Sequence, residues 1–212
     1  MINIQTIRKE YTKAELDIQN VNQSPILQFK TWFEEALESK VAEVNAMVLS
    51  TVSEENKPTA RVVLLKAFDE KGFSFFTNYD SKKGKQLAQN PNACLTFFWA
   101  ELERQVRIEG TVEKVSTQES DDYFAVRPKG SQIGAWASPQ SSIIDSRDVL
   151  IKNQELLEAQ YADLNIARPT QWGGYVLKPT LIEFWQGRHS RLHDRINYTL
   201  ENNNWKIERL AP

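Results

Sequence analysis

Apolar residues recur along this chain with two different periods. Between residues 25 and 40 they follow the three-to-four-residue spacing of one helix face, at Ile26, Phe29, Phe33, Ala36 and Leu37. Ser24 and Pro25 precede them, a pair typical of a helix N-cap and first helical position. The pattern predicts an amphipathic helix over 25–40.

Beyond residue 45 the pattern changes to short runs rich in β-branched and aromatic residues, separated by polar turns. Five such runs follow closely, at 46–52, 59–68, 72–77, 93–100 and 105–115. Their short connections predict an antiparallel meander that closes into a barrel. Three later runs, at 174–185, 191–200 and 205–210, predict further strands.

Three more helices are predicted between the strands. The first spans 81–90 and stops before a proline, and the third spans 145–161. The second opens at a capping box, Ser116-x-x-Glu119, and ends near Arg127 because Pro128 follows. We therefore expect a polar N-terminal arm over 1–23, then one α+β, mainly β domain over 24–212, an antiparallel barrel with peripheral helices.

Composition narrows the classes of partner. The chain has 212 residues, 41% of them hydrophobic, and a formal net charge of −2, so no global field attracts nucleic acid or an anionic membrane. Its single cysteine excludes an intrachain disulfide. No run is long and apolar enough to cross a bilayer, and no signal-peptide core or metal-binding cluster is evident. We expect a cytoplasmic protein that binds neither membrane nor metal.

The richest candidate chemistry lies at 182–195, IEFWQGRHSRLHDR, which holds both histidines and three arginines. If the stretch after Gly187 is extended, Arg191, His193 and Arg195 share one face. Three potential cations beside a tryptophan predict a site for a flat anionic ligand. The alternative is a solvated strand edge, where basic residues discourage aggregation.

Two segments form a first candidate anion subsite. Arg61 and Lys66 lie at the two ends of a strand, and five residues apart they reach one ligand only through a bulge or twist. A core strand with two solvated ends explains them equally well. Lys82 and Lys83 follow Ser81 at a helix start, where free N–H groups favour a phosphate.

A second candidate subsite follows the capping box. Tyr123 and Arg127 are four residues apart and share a helix face, and Ser131 comes just after Pro128. Two hydroxyls and a guanidinium are typical of a phosphate site, although a packed Tyr–Arg pair on a surface helix has the same spacing. Two anionic subsites indicate a phosphorylated cofactor and a phosphorylated substrate.

Six ordered motifs make the chain similar to the pyridoxamine 5′-phosphate oxidase family over about residues 8–212. They are RVVLLK at 61–66, FTNYDSKKGKQL at 76–87, ERQVRIEG at 103–110, YFAVRPKGSQIGAWAS at 123–138, EFWQGRHSRLHDR at 183–195, and WKIERLAP at 205–212. The resemblance implies a split β-barrel homodimer with FMN between the subunits. It also implies oxidation of pyridoxamine or pyridoxine 5′-phosphate by dioxygen to pyridoxal 5′-phosphate, with hydrogen peroxide as product, and ammonia from the amine.

The resemblance further implies roles for single residues. The implied FMN contacts are Arg61, Val62, Val63, Leu64, Leu65, Lys66, Phe76, Thr77, Lys82, Lys83, Gln105, Gln140, Ser141, Trp185 and Arg195. The implied substrate contacts are Arg8, Lys9, Glu10 and Tyr11 in an arm over the site, Lys66, Tyr123, Arg127 and Ser131 around the phosphate, and Arg191, Leu192 and His193 over the ring. Arg191 and His193 are the implied catalytic residues. The family often has tyrosine at Phe76 and arginine at Lys82.

Two other functions compete with this interpretation. A non-catalytic split barrel could bind FMN or pyridoxal phosphate without turnover, although a plain flavin carrier would not need the 123–131 cluster or the Arg191–His193 pair. A nucleic-acid-binding barrel would be colourless and bind oligonucleotides in a salt-dependent way. Because acidic residues outnumber basic ones, 28 to 26, we predict no nucleic-acid partner.

Overall fold

The computed structural model describes residues 3–6 and 9–212, which form nine strands and five α-helices. The strands are β1 (Ala46–Val52), β2 (Pro58–Leu64), β3 (Ala67–Asp69), β4 (Gly72–Asn78), β5 (Asn92–Trp99), β6 (Arg104–Lys114), β7 (Trp172–Gln186), β8 (Asp194–Glu201) and β9 (Asn204–Leu210). The helices are α1 (Pro25–Glu38), α2 (Lys82–Gln89), α3 (Thr117–Ala125), α4 (Lys129–Ala137) and α5 (Arg147–Gln160). The predicted mainly β architecture with peripheral helices is confirmed.

The strands pair antiparallel in the order β2-β1-β5-β6-β7-β4-β3, and β8 and β9 continue from β7. Leu65 and Lys66 alone connect the two ends of this order, β2 and β3, so the sheet curves back on itself. The predicted simple meander is wrong. Helix α2 carries the chain away from β4, so that β5 pairs with β1, and β4 pairs with β7 instead.

Side chains on the inner face of the sheet form the main core. The residues that are 0% exposed include Leu49, Phe73, Phe75, Leu95, Phe97, Val106, Ile108, Leu177, Ile182, Phe184 and Ile196. Helix α1 packs its apolar face against them: Phe29 is fully buried, with its ring centroid 4.9 Å from those of Phe68 and Phe73. Burial of such aromatic side chains contributes roughly 2–3 kcal/mol each, which fixes the helix on the sheet.

The remaining helices build a smaller apolar cluster beside β4. It consists of Phe124, Ile133, Ile166 and Trp172, with Phe76 and Tyr123 packed against it. Helix α3 begins at the predicted capping box: Ser116 Oγ accepts from the N–H of Glu119, whose carboxylate accepts from the N–H of Ser116. This cluster places α3 next to the loop between β2 and β3.

One predicted strand is divided in the structure, and one helix was not predicted. The run 59–68 is not one strand but two, because the chain turns at Leu65 and Lys66. Helix α4 was not predicted, since Gly130 and Gly134 each lower helix propensity by about 1 kcal/mol and hide its pattern. The helices predicted over 25–40, 81–90 and 145–161 are confirmed, with ends shifted by one or two residues.

The N-terminal segment lies against the barrel rather than apart from it. The Tyr198 hydroxyl donates to the carbonyl of Asn22 at 2.7 Å, and the Leu16 N–H donates to Asp194 Oδ2 at 3.0 Å. Among the helices in the described residues, none is long and apolar enough to cross a membrane.

Candidate active site

A cleft of about 440 Å³ opens between the β2–β3 connection, β4 and helices α3 and α4. Its walls contain Lys66 and Lys83 of the first predicted anion subsite and all three residues of the second. The lining residues are Val62, Val63, Leu64, Lys66, Phe76, Thr77, Lys83, Tyr123, Arg127, Pro128, Ser131, Gln140 and Trp172. Residues from five separate segments of the sequence therefore meet in one cavity.

The turn at Leu65 explains how Lys66 reaches this cleft. The Leu65 N–H donates to the Asn45 carbonyl at 2.8 Å, and the Lys66 N–H donates to the Ser74 carbonyl at 2.9 Å. Lys66 thus leaves strand β2 and joins the edge of β4, with its ammonium 5.9 Å from the ring centroid of Tyr123. The turn brings Lys66 to the cleft, but Arg61 does not line it, so the two cations do not share the cleft wall.

Lys83 is the cation most enclosed by polar acceptors in the cleft. Its ammonium donates to Gln140 Oε1 at 2.7 Å, to Thr77 Oγ1 at 3.0 Å and to Ser81 Oγ at 3.2 Å. Burial, reinforced by repulsion from Arg61, lowers the pKa of Lys83 to about 8. A bound anion would stabilise this charge.

Arg127, like Lys83, forms no ion pair with an acidic side chain among the described residues. Its guanidinium carbon lies 4.5 Å from the ring centroid of Trp172 and 5.5 Å from that of Phe124. Nη1 is buried and has no hydrogen-bond partner among the described residues. Burial lowers the pKa of Arg127, although its charge is retained. A buried donor without a partner costs about 1–3 kcal/mol, which a phosphate oxygen would offset.

Three aromatic rings form the apolar wall beside these cations. Phe76 stacks on Tyr123 with centroids 4.1 Å apart and on Trp172 with centroids 5.6 Å apart. Where the family often has a tyrosine hydroxyl, Phe76 therefore contributes only an apolar ring that packs against its neighbours. Ser131 lies in the first turn of α4, at the mouth of the cleft.

A second group of predicted residues lies at the far end of β7. Gln105 pairs with Trp185, and Trp185 pairs with Arg195 on β8. Arg195 Nη2 donates to Glu183 Oε2 at 2.7 Å, and Arg107 Nη2 donates to the same atom at 3.0 Å. Burial would raise the pKa of Glu183, but these two hydrogen bonds and charges outweigh it and lower the pKa below its ordinary value.

Arg191 and His193 are not presented by a strand. Residues His189–Arg191 form a 3-10 turn, Ser190 and Arg191 have φ of 56° and 61°, and β8 begins only at Asp194. The predicted strand over 191–200 is confirmed only from Asp194 onward, so the predicted alternation of Arg191, His193 and Arg195 along one strand is wrong. The turn nevertheless places Arg191 and His193 along one cavity of about 440 Å³, together with Lys9, Glu10 and Tyr11.

The environment of His193 favours a neutral ring. Its Nδ1 accepts from the Arg188 N–H at 3.1 Å, so the proton of the neutral ring lies on Nε2. Burial and the charge of Arg191 lower the pKa of His193, against a smaller opposite effect of Asp194. At neutral pH this histidine can donate one hydrogen bond from Nε2.

Strand β7 keeps the two groups apart within one chain. Gly174 pairs with Phe76 in the cleft, and Trp185 lies eleven positions later on the same strand. At about 3.3 Å per residue the two positions are separated by about 36 Å along the strand.

Several predicted residues contribute differently from expectation. The Arg61 guanidinium donates to the Leu49 carbonyl at 3.0 Å and to the hydroxyls of Thr51 and Thr59 at 2.6 Å, so internal acceptors already hold it. The Leu65 side chain is buried in the core. Lys82, Ser141 and Leu192 are exposed and do not line the cleft, and Arg8 lies outside the described residues.

Sequence reasoning missed the carboxylates that hold these cations. Glu183 is 3% exposed and Glu103 is 2% exposed, and each begins a motif quoted above. The burial of Glu183 could have been suspected, because it stands within a run of strand-forming residues, whereas Glu103 stands in the turn before β6 and gives no such signal. Most of their partners could not: Arg195 lies 12 residues from Glu183, but Arg107 lies 76 residues away, and the N–H groups bound by Glu103 lie about 90 residues away.

The family models match this chain in two parts. A model described as pyridoxamine 5′-phosphate oxidase matches residues 33–161, more than half of the chain. The chain belongs to the pyridoxamine 5′-phosphate oxidase family. A second model, described as the pyridoxine 5′-phosphate oxidase C-terminal dimerisation region, matches residues 172–212, which carry β7 to β9. The resemblance inferred from the six motifs is confirmed.

Curated relatives are similar over the full length. A pyridoxine/pyridoxamine 5′-phosphate oxidase from Cyanothece sp. (strain PCC 7425 / ATCC 29141) is 55% identical over 211 residues, which cover 100% of this chain and 99% of the relative. A protein of the same name from Burkholderia mallei (strain SAVP1) is 54% identical over 215 residues, with 100% of both chains covered.

Solved structures confirm the split-barrel fold. PhzG from Burkholderia lata 383, solved in complex with tetrahydrophenazine-1-carboxylic acid, superposes with a TM-score of 0.87 at 29% identity, covering 92% of this chain and 95% of PhzG. A pyridoxamine 5′-phosphate oxidase-related, FMN binding protein from Nostoc punctiforme PCC 73102 gives a TM-score of 0.71 at 16% identity, covering 91% and 100%. The second likeness supports the fold alone.

Proposed function

We propose that this chain oxidises pyridoxine 5′-phosphate and pyridoxamine 5′-phosphate to pyridoxal 5′-phosphate, using FMN and dioxygen. Hydrogen peroxide is the second product, and the amine also releases ammonia. The observation that carries the proposal is the single cleft that gathers Lys66, Lys83 and Arg127. Three cations line this cavity, and none of the ion pairs formed by the described residues involves them.

The residues present fit FMN by the chemistry of their donors. Lys83 carries a desolvated ammonium beside Thr77 and Gln140, which suits a phosphate dianion. Gln105, Trp185 and Arg195 offer an amide, a flat ring and a guanidinium for the rest of the cofactor. When bound, FMN would supply the redox chemistry, by accepting a hydride and passing two electrons to dioxygen.

The substrate phosphate would be held at the other side of the same cleft. Arg127 supplies the buried donor without a partner, and Tyr123 and Ser131 supply hydroxyls beside it. Lys66 adds a second cation within reach of Tyr123. Anchoring the phosphate converts the reaction at the pyridine ring into a positioned, effectively unimolecular step.

The complete site requires two copies of the chain. The residues Val48, Val62, Leu64 and Phe98 are 38–66% exposed and share the outer sheet face with Gln105 and Trp185. An exposed apolar patch of this kind marks a protein interface. A second copy on this face would bring its Trp185 and Arg195 to the cleft, where Val62 and Leu64 lie at the rim. We therefore propose a homodimer with FMN between the subunits.

Arg191 and His193 would hold the substrate ring in this assembly. A neutral His193 can donate from Nε2, and Arg191 is exposed beside it. Replacing Arg191 with alanine should therefore damage turnover much more than FMN retention, measured by steady-state kinetics and by flavin absorbance after gel filtration. An equal loss of both would contradict this division of roles.

A binding protein without turnover is the competing function. The purified protein should be yellow, lose its flavin absorbance when pyridoxamine 5′-phosphate is added without oxygen, and regain it in air. A yellow protein that keeps its absorbance would be the binding protein instead, and a colourless one that cannot bind FMN would refute both.

A further inference from the structure

Tyr11 of the N-terminal arm closes the cavity that contains Arg191 and His193. Its ring centroid lies 5.8 Å from those of Trp185 and His193, edge-on to both. The ring also lies directly on Gly187, where any Cβ would come within 2.7 Å of Tyr11 Cγ. Tyr11 therefore packs at a defined position on the barrel, which is open to its ring because Gly187 has no side chain.

A buried carboxylate holds the chain just beyond this tyrosine. Glu103 is 2% exposed, and its Oε2 accepts from the Thr12 N–H at 2.8 Å and from the Lys13 N–H at 3.1 Å. Lys9 Nζ lies 3.8 Å from the other carboxylate oxygen. Two successive backbone N–H groups on one carboxylate form a strong, directional anchor.

Glu103 also fixes the backbone of Gly187, against which Tyr11 packs. The Glu103 carbonyl accepts from the Gly187 N–H at 2.8 Å and from Gln186 Nε2 at 3.2 Å. Its φ of 55° is left-handed, a conformation that glycine or asparagine adopts more easily. The turn between β5 and β6 by itself does not call for glutamate, so the carboxylate needs another explanation.

We propose that Glu103 is a positioning residue that holds Tyr11 as a wall of the substrate pocket. The proposal rests on the proposed function, since the pocket is the one lined by Arg191 and His193. Glu103 acts only through the arm: its carboxylate contacts the backbone after Tyr11, and its carbonyl fixes the glycine beneath Tyr11. The chemistry recognised by this wall is a flat aromatic ring held against Tyr11 and His193.

Loss of the carboxylate should release the arm and leave the flavin site intact. A wall that contacts the substrate equally in the ground and transition states affects KM more than kcat. We expect Glu103→Gln to raise KM for pyridoxine 5′-phosphate about ten-fold, because one charged acceptor becomes neutral. Turnover at saturation and FMN retention should stay close to those of the unaltered protein.

Release of the arm can be measured without any activity. In FMN-loaded protein, trypsin should cleave after Lys9 and Lys13 about ten-fold faster in Glu103→Gln, because cleavage follows the population of the released arm. Glu101→Gln is the matched control: Glu101 lies on the same turn, carries the same charge, and its side chain is exposed. Equal cleavage rates for all three proteins, measured by mass spectrometry of the N-terminal peptides, would overturn the proposal.

A double-mutant cycle tests whether Glu103 acts through Tyr11. Tyr11→Ala and Glu103→Gln should each raise KM, and the double variant should be no worse than the more severe single one. Independent, multiplying effects would overturn the proposal.

Two substitutions in the arm cover the case in which Glu103→Gln does not fold. Thr12→Pro removes the backbone N–H that Glu103 binds and should raise KM, whereas Thr12→Ala keeps this N–H and should not. Equal KM values for these two would also overturn it.

These outcomes distinguish a failure of the proposal for Glu103 from a failure of the proposed oxidase function. If the unaltered protein binds FMN but oxidises neither phosphorylated substrate, the proposed function fails while the trypsin comparison still decides the role of Glu103. If the unaltered protein is active and Glu103→Gln changes neither KM nor cleavage, only the inference fails.

Discussion

The cations at the two ends of strand β7 differ in whether they have an acidic partner. In the cleft beside Gly174, Lys83 and Arg127 are desolvated without an acidic partner among the described residues, and burial lowers the pKa of each. At the Trp185 end, Arg195 donates to a buried carboxylate, Glu183, and Arg188 donates to Asp194. The chain thus contains cations that lack a counter-ion and cations that already have one.

This difference separates binding from positioning. A desolvated cation without a counter-ion lowers stability until an anion arrives, so its position is explained by a ligand. A cation bound to a buried carboxylate is held in one orientation, so its contribution is geometry. We therefore propose that phosphates bind in the cleft, and that the Trp185 end is a preformed surface presented to a second copy.

The largest expected effect is loss of the half-buried Arg127 guanidinium in the cleft. Arg127→Ala should lower kcat/KM for pyridoxine 5′-phosphate about 100-fold, or about 2.7 kcal/mol, because two charged hydrogen bonds to the phosphate disappear. Steady-state kinetics measure this change. Arg147→Ala, an exposed arginine on α5, is the control and should behave as the unaltered protein. A loss below three-fold for Arg127→Ala would show that this cation is structural.

Removing the carboxylate at the other end should affect stability first. Glu183→Ala leaves Arg107 and Arg195 without their shared acceptor and should lower the free energy of unfolding by about 2 kcal/mol, since both arginines keep some contact with water. Denaturant unfolding measures this difference. Glu113→Ala breaks the exposed pair with Lys178 and should cost below about 0.5 kcal/mol. Equal losses would remove the contrast between buried and exposed partners.

Lys83→Met should change the ligand-free and FMN-bound proteins in opposite directions. Without FMN, removal of a desolvated ammonium should raise Tm, while the FMN Kd should rise about ten-fold because a phosphate contact is lost. Calorimetry and fluorescence titration measure the two effects. Lys85→Met on the same helix is exposed and should change neither. A lower Tm for ligand-free Lys83→Met would contradict the account.

The smallest expected effect is a dependence of FMN affinity on pH. Because the pKa of Lys83 is lowered to about 8, the group is charged below that value and loses its proton above it. A bound phosphate favours the charged form, so affinity should be level below about pH 7 and fall as pH rises through 8, by no more in total than the roughly ten-fold loss expected for Lys83→Met. Titrations from pH 7 to 9.5 measure this, and Lys83→Met should show no such fall.

The sequence predicted local features well and distant ones poorly. The helix caps at Ser24 and Ser116, and the short strands, follow from neighbouring residues and are confirmed. The pairing of β4 with β7 depends on contacts about 100 residues apart, which no local period encodes. The turn at His189–Arg191 was also missed, because left-handed Ser190 and Arg191 have no glycine to signal them.

For the site, the sequence indicated which residues take part, but it did not indicate which residues they contact. Tyr123, Arg127 and Ser131 were predicted from composition, and the structure brings them into one cleft. Glu183 was overlooked because an acidic residue in a strand usually indicates a solvated position, and Glu103 because an acidic residue in a turn does so as well. Only the fold shows that these carboxylates are buried against arginines and backbone N–H groups.

The most direct test of the central claim uses mixed dimers. Arg127→Ala alters the cleft and Arg191→Ala alters the other end of β7, and each variant alone should be nearly inactive while retaining FMN. If each active site combines the cleft of one subunit with Arg191 of the other, a doubly tagged heterodimer has one intact site and should recover about half of the unaltered activity. Activity no higher than that of either parent would contradict the account.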